Sequence, residues 1–75
     1  MNIERQKPRD EAIEKIENYI IQNHLKPGDR LPSERSMCDM WDFNRSTLRS
    51  AIKQLILEGK IYNKNRYTYN RTVAI

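Results

Sequence analysis

The chain contains 75 residues, of which 37% are hydrophobic and 32% are charged, and its formal net charge is +4. This length allows one small domain, and no apolar run approaches the roughly 20 residues that a membrane-spanning helix needs. The polar N-terminal residues do not have the pattern of a secretory signal. The one cysteine, Cys38, excludes an internal disulfide bond. We therefore expect a protein of the reducing cytoplasm with no membrane partner.

Charge divides the chain into two unequal parts. Residues 1–29 carry five Lys or Arg against six Asp or Glu, a net charge of −1. Residues 43–75 carry seven Lys or Arg against Glu58 alone, a net charge of +6. A one-sided excess of this kind favours a polyanionic partner, with a solvated basic surface as the alternative explanation.

The apolar pattern predicts two helices in the first half of the chain. One stripe of apolar side chains at helical spacing indicates a helix over about residues 10–23, which the Lys-Pro-Gly-Asp turn at 26–29 ends. A second, short helix follows the good N-cap Ser33 and ends before Asp42. Asp42 and Asn44 both tolerate the conformations that a turn between helices requires. The first stripe consists of Ala12, Ile13, Ile16, Tyr19 and Ile20.

A third helix is predicted over about residues 45–58. Asn44 is its expected N-cap, and Gly59 is the residue expected to stop it. Its buried face follows the i, i+3, i+4, i+7 pattern of an amphipathic helix. This face consists of Leu48, Ala51, Ile52 and Leu55.

A β-hairpin is predicted after the third helix. Aromatic and β-branched residues indicate short strands at 61–62 and 67–69, separated by a polar turn at 63–66. Residues 72–75 extend the second strand in this prediction. A mainly α chain of three helices with a small hairpin has the element order of a winged helix-turn-helix.

The third helix also carries a row of positive charge. Arg45, Arg49 and Lys53 are spaced by four beside the apolar stripe, with Ser46 and Ser50 on the outward side. Like charges at this spacing cost roughly 0.2–0.5 kcal/mol per pair, and cations in a first turn oppose the helix dipole. A local rule broken in one helix and obeyed in its neighbours points to function. DNA supplies the compensation, since a recognition helix presents its N-terminal residues to the major groove. An ordinary exposed basic face is the alternative.

Three segments resemble the N-terminal domain of the GntR family of bacterial regulators. They are KPGDRLPSER at 26–35, NRSTLRSAIKQL at 44–55 and EGKI at 58–61. The resemblance implies that residues 1–75 form one winged helix-turn-helix domain. It also implies sequence-specific binding of double-stranded operator DNA, a homodimer in the full-length regulator, and a small-molecule effector bound by a C-terminal domain outside this chain.

The expected DNA contacts come from the resemblance and from the charge pattern. The family's contact positions match this chain at Arg35, Arg45, Ser46, Thr47 and Arg49, and Asn44 takes the cap position. The basic row adds Lys53, and the predicted hairpin turn adds Lys64 and Arg66. We expect Arg45 and Arg49 to contact bases, whereas Arg35 and Thr47 contact phosphates.

Two departures from the family pattern affect the turns. Asp42 stands where the family usually has glycine between the second and third helices. The hairpin tip, glycine-rich in the family, contains no glycine between residues 63 and 73. Asparagine must then supply any positive φ angle in this turn. We therefore expect the hairpin to touch DNA through its charge, with a tip that does not contact bases.

Other classes of function have weaker support in the sequence. His24 is the single histidine and Cys38 has no partner for catalysis or metal binding nearby, so we expect no enzyme, cofactor or metal. A winged helix used for protein–protein contact would show an apolar patch on its third helix. Leu57 is the one residue that favours this alternative, unless it packs on the hairpin. RNA binding would require exposed stacking aromatics, but the hairpin tyrosines more often pack on the sheet.

Overall fold

The computed structural model describes residues 7–72. Three helices come first: α1 (Pro8–Gln22), α2 (Glu34–Trp41) and α3 (Arg45–Leu57). Two antiparallel strands follow, β1 (Ile61–Lys64) and β2 (Tyr67–Asn70). The predicted order of three helices and a hairpin is confirmed.

Helix α1 begins two residues earlier than predicted, at Pro8. Proline is well suited to the first helical position, because its missing N–H would have no partner in the helix anyway. The helix ends at Gln22, because His24 adopts a left-handed conformation with a φ of 51°. The lysine–proline segment predicted to end α1 therefore lies in the following loop. The buried face of α1 consists of Ala12, Ile16 and Ile20.

Helix α2 has the predicted cap and the predicted stop. The hydroxyl of Ser33 accepts a hydrogen bond from the backbone N–H of Ser36 at 3.1 Å. The chain then leaves the helix at Asp42, whose φ of 56° lies in the left-handed region. Asp42 thus adopts the turn conformation as predicted, at the position where the family usually has glycine. Met37 is the buried residue of this short helix.

Helix α3 is capped as predicted at both ends. The side-chain oxygen of Asn44 accepts a hydrogen bond from the backbone N–H of Thr47 at 2.7 Å. The helix ends at Leu57, one residue before the predicted end, and Gly59 reverses the chain with a φ of 74°. All four residues of the predicted apolar stripe are buried: Leu48, Ala51, Ile52 and Leu55. They pack with the buried face of α1, with Met37 and with Leu31 and Ile61 in one core.

The hairpin, called the wing below, comprises β1, β2 and the turn between them. Its strands are longer than predicted, so the turn shrinks to Asn65 and Arg66. Both turn residues have positive φ angles, 52° and 71°, as a two-residue type I′ turn requires. The prediction that asparagine alone would supply positive φ is wrong, because Arg66 also adopts it. The predicted extension of β2 does not include Thr72, and residues 73–75 lie outside the described part of the chain.

The loop between α1 and α2 fixes the wing to the helices. Leu31 donates its backbone N–H to the carbonyl of Thr68, and Gly28 donates to the carbonyl of Asn70, both at 2.8 Å. A bridge between Arg30 and Tyr69 continues this pairing. The loop thus acts as a third strand against β2, which places the wing beside the helix-turn-helix.

Candidate nucleic-acid interface

Helix α3 presents one polar face away from the core. With 3.6 residues per turn, the face opposite the buried stripe carries Ser46, Ser50, Lys53 and Leu57. All four are exposed, and Leu57 is 75% exposed. Packing of Leu57 on the wing is therefore excluded. Since Ser46 lies in the first turn, this face extends along the whole helix.

Arg45 and Arg49 flank this face on the side of α2. Glu34, the first residue of α2, contacts both of them through one carboxylate oxygen. Arg49 donates its Nε–H to Glu34 Oε1 at 2.8 Å, and Arg45 Nε lies 3.5 Å from the same oxygen. The two arginine side chains remain 64% and 65% exposed. DNA is therefore not needed as the sole compensation for the unfavourable placement of these arginines, because Glu34 supplies part of it within the protein.

The remaining helix residues of the predicted site occupy the start of α2 and α3. Arg35 is exposed in the first turn of α2 and forms no ion pair with the described residues. Thr47 is half-buried, and its backbone N–H is used by the cap from Asn44. The Asn44 side chain therefore serves α3 with its oxygen and retains only its NH₂ group for a ligand.

The wing carries the other predicted basic residues at its tip. Lys64 ends β1 and Arg66 stands in the turn, and both are exposed. A groove lined by Glu34 of α2, Ile52 of α3 and Arg66 of the wing shows that the wing tip lies beside the two helices. Arg66 of the wing thus lies across this groove from Glu34, and Glu34 in turn contacts Arg45 and Arg49 of α3.

Sequence reasoning missed Arg30 as part of this surface. Its guanidinium carbon lies 4.0 Å from the centre of the ring of Tyr67, the residue that directly follows the turn of the wing, in a cation–π contact. The segment 26–35 was identified only as a family motif, and no local pattern indicates that Arg30 meets a residue 37 positions away. The prediction for the other hairpin tyrosines holds, because Tyr62 and Tyr69 stack on each other with centroids 5.4 Å apart.

A separate ion cluster neutralises the charge of Lys60. Lys60 Nζ lies 2.8 Å from Glu17 Oε2 and 3.4 Å from Glu58 Oε1. A hydrogen bond from Gln54 and the contact with Lys60 lower the pKa of Glu58, while the hydrogen bond to Glu17 raises the pKa of Lys60. Lys60 is therefore engaged with α1 and the end of α3. Lys60 therefore adds little to the positive charge of the predicted interface, which lies in the first turns of α3, at Lys53 and on the wing.

The described part of the chain contains no candidate metal site. No group of three His, Cys, Asp or Glu side chains within residues 7–72 is arranged to hold a metal ion. No helix in this part of the chain is long and apolar enough to cross a membrane. Cys38 is half-buried against the core, as expected of a small packing residue.

Known proteins resemble this chain in sequence, and the resemblance identifies a family. The family model for bacterial regulatory proteins of the gntR family matches residues 8–67. The HTH-type transcriptional repressor NagR of Bacillus subtilis (strain 168) is 34% identical over 73 residues, which cover 92% of this chain and 30% of NagR. The chain spans less than a third of the length of the curated relatives that it matches.

Two solved structures share the architecture. YtrA from Sulfolobus acidocaldarius, a GntR-family transcription factor, matches with a TM-score of 0.78 and 29% identity over 92% of this chain and 73% of its own. AraR(DBD) in complex with operator ORX1 matches with a TM-score of 0.79 and 24% identity over 88% of this chain and 81% of its own. These matches confirm the winged helix-turn-helix fold. The family model over residues 8–67 shows that the chain belongs to the GntR family of bacterial regulatory proteins.

Proposed function

We propose that this chain is the DNA-binding domain of a transcription regulator and that it binds double-stranded operator DNA in a sequence-specific manner. The observation that carries the proposal is the juxtaposition of the exposed polar face of α3 with two flanking arginines, Arg45 and Arg49, beside a positively charged wing. Regulation of transcription is the role of its family, and AraR(DBD), which shares the fold, is bound to its operator.

In this proposal, α3 lies in the major groove with its N-terminal half toward the bases. Arg45 and Arg49 form bidentate hydrogen bonds with guanine, the commonest specific contact of an arginine in this groove. Ser46, Ser50 and Lys53 occupy the outward face and contact base edges or phosphates. Arg35 and Thr47 contact phosphates and fix the orientation of the domain, with Asn44 holding the first turn of α3.

The wing contributes charge without specificity. Lys64 and Arg66 reach phosphates with long side chains, while Arg30 adds a third cation beside Tyr67. Each neutralised phosphate releases counterions, so the contribution of these residues declines as salt increases.

The wider regulator is also part of the proposal. The full-length protein acts in the cytoplasm as a homodimer, is not an enzyme, and responds to a small-molecule effector bound by a domain outside this chain. The support is that NagR is more than three times as long as its matching segment. A dimer places two copies of α3 in successive major grooves, about one helical turn of DNA apart.

The test begins with selection of a duplex from a random library by the wild-type protein. Replacement of Arg45 or Arg49 by alanine should weaken binding to the selected duplex by roughly 5- to 150-fold each, as expected for loss of a bidentate base contact. The selected sequence should also lose its preference at the corresponding base pairs. Arg9→Ala removes an exposed cation from α1 and should leave the affinity unchanged.

A winged helix for protein–protein contact is the second candidate, favoured only by the exposure of Leu57. No enrichment of any duplex, or unchanged affinity in both arginine variants, would contradict the DNA-binding proposal. Loss of a protein complex in Leu57→Ser with DNA affinity unchanged would support the alternative.

A further inference from the structure

We propose that Glu34 is a positioning residue that aligns Arg45 and Arg49 for DNA and suppresses binding to non-specific sequences. This inference rests on the proposed function. Its basis is that one oxygen of Glu34 accepts the Nε–H of Arg49 at 2.8 Å and lies 3.5 Å from Nε of Arg45.

The contact through Nε determines which edge of each guanidinium is available to a ligand. An arginine carries five N–H donors in a rigid planar fork. Since Glu34 occupies the Nε side, the two terminal nitrogens of each fork remain for the O6 and N7 atoms of guanine. A bidentate contact requires the plane of the fork to match the plane of the base. A single carboxylate thus orients the plane of Arg49 by a hydrogen bond and draws Arg45 to the same oxygen by a longer ion pair.

Glu34 itself is held in place by its helix. It is the first residue of α2, directly after the N-cap Ser33, and its side chain is only 33% exposed. A negative charge is favourable at this positive helix end. The carboxylate thus belongs to α2, whereas the arginines belong to α3. An acceptor on α3 itself would share the flexibility of the arginines.

The strength of the contact fits orientation better than folding. Exposed ion pairs contribute little to the stability of a fold, and both arginines are about two-thirds exposed. Ordering a long side chain before association, however, removes an entropic cost that binding would otherwise carry. The carboxylate also repels phosphates, which lowers the affinity for any duplex. Together the two effects raise the ratio of specific to non-specific affinity. Repulsion weakens binding to every duplex, whereas only a cognate site benefits from the alignment.

The experiment compares three variants of the chain on two duplexes. The probes are the duplex selected by the wild-type protein and a scrambled duplex of equal length and composition. Glu34→Ala removes the acceptor and the charge, whereas Glu34→Gln keeps an oxygen acceptor of nearly the same shape. Asp39→Ala removes an exposed negative charge from the same helix at a site without contact to the arginines, and serves as the charge control.

We expect Glu34→Ala to bind the scrambled duplex more tightly but to lose about tenfold in the ratio of selected to scrambled affinity. Glu34→Gln should retain most of the ratio, because it preserves the oxygen that receives Nε–H. Asp39→Ala should tighten binding to both duplexes alike. A measurement without DNA supports the geometry: the Nε–H proton of Arg49 should exchange with solvent faster in Glu34→Ala than in the wild-type chain.

Three results would overturn the inference. The first is an effect of Glu34→Ala on both duplexes equal to that of Asp39→Ala, since Glu34 would then act as a charge alone. The second is an unchanged exchange rate of the Arg49 Nε–H. The third is a wild-type chain that does not distinguish the two duplexes, which contradicts the proposed function itself and is recognised before any variant is measured. If Glu34→Ala does not fold, a full loss of the ratio in Glu34→Gln also overturns it.

Discussion

Asn70 is the buried polar side chain among the described residues, and it joins the base of the wing to the loop after α1. Its amide nitrogen donates to the carbonyls of Leu25 at 3.1 Å and Thr72 at 2.8 Å. Its oxygen accepts hydrogen bonds from the backbone N–H and the hydroxyl of Thr72. A fully buried amide with four partners fixes the wing in place, because any displacement would leave polar groups without hydrogen bonds.

Replacement of Asn70 by alanine should therefore lower the free energy of unfolding by about 1–3 kcal/mol, the cost of leaving buried partners unsatisfied. Urea-induced unfolding followed by circular dichroism measures this change. Asn63→Ala is the matched control, since Asn63 lies exposed on the same hairpin and should change stability by less than about 0.5 kcal/mol. Equal stability of the two variants would show that Asn70 does not anchor the wing.

The ion cluster around Lys60 gives a prediction of pH dependence. The pKa of Glu58 is lowered in the folded protein, so Glu58 stabilises the fold above the ordinary carboxyl pKa of about 4.3 and loses this effect as the pH falls through its lower folded value. The pKa of Lys60 is raised in the folded protein, so its contribution to the stability of the fold is present below about pH 10.4 and is lost at higher pH. Both groups are at the surface, and the effects are small.

We therefore expect the wild-type protein to melt at a higher temperature than Glu58→Gln at neutral pH, and the difference to vanish toward pH 2. For Lys60→Met the difference from the wild-type protein should instead shrink as the pH rises above 10. Melting curves across this pH range test both expectations. A constant difference between wild-type and Glu58→Gln over the acidic range would contradict the role of this carboxylate.

At the level of elements, one residue of the wing is both unfavourable in its turn and proposed to bind DNA. Arg66 occupies the second central position of a type I′ turn with a φ of 71°, where glycine is preferred. A non-glycine residue in this region is strained by on the order of 1–2 kcal/mol. A residue that weakens its own turn and also carries an exposed charge is best explained by a contact outside the hairpin.

The variant Arg66→Gly should separate stability from DNA binding. It should raise the free energy of unfolding by about 0.5–1 kcal/mol by removing the strain, while it weakens DNA binding at low salt and reduces the salt slope by about one. Lys64→Gly is the control: it removes the same charge from an extended strand position, so it should lower stability by about 0.5–1 kcal/mol. Relaxed base preference in either variant would show that the wing contacts bases, contrary to the proposal.

At the scale of the whole molecule, the described residues form one small domain with one proposed recognition helix. Tight operator binding by such a domain requires a second copy, since a single half-site involves few base pairs. Among the described residues, the exposed large apolar side chains are Ile21, Met40, Leu57 and Tyr67, one on each of the three helices and one on the wing. We therefore expect the proposed dimer contacts to lie mostly in other parts of the full-length regulator.

The isolated chain of residues 1–75 should then sediment as a monomer and bind a single half-site weakly. Two copies joined by a flexible linker should bind a duplex with two half-sites about 10²–10⁴ times more tightly than one copy, without any new protein contact. The control duplex carries one half-site, on which the linked and single copies should differ little. A tight dimer formed by residues 1–75 alone would contradict this prediction.

Local sequence determined the elements of this protein. The apolar stripe of α3, its cap at Asn44 and its stop at Gly59 depend on residues within a few positions of one another, so periodicity and capping preferences suffice to locate them. The left-handed turn at Asp42 follows from the same kind of local preference. The basic row on α3 was visible for the same reason, since residues spaced by four share one side of a helix.

Tertiary structure alone decided which distant residues meet. Glu34 reaches Arg49 across 15 positions, Arg30 stacks on Tyr67 between different elements, and Asn70 bonds to Leu25 across 45 positions. Periodicity defines which face of an element is buried but not which side chain of another element lies opposite it. That pairing depends on how the helices cross and on the attachment of the wing to the loop after α1. For this reason the arginines of α3 were visible in the sequence, whereas the carboxylate that contacts them emerged only from the fold.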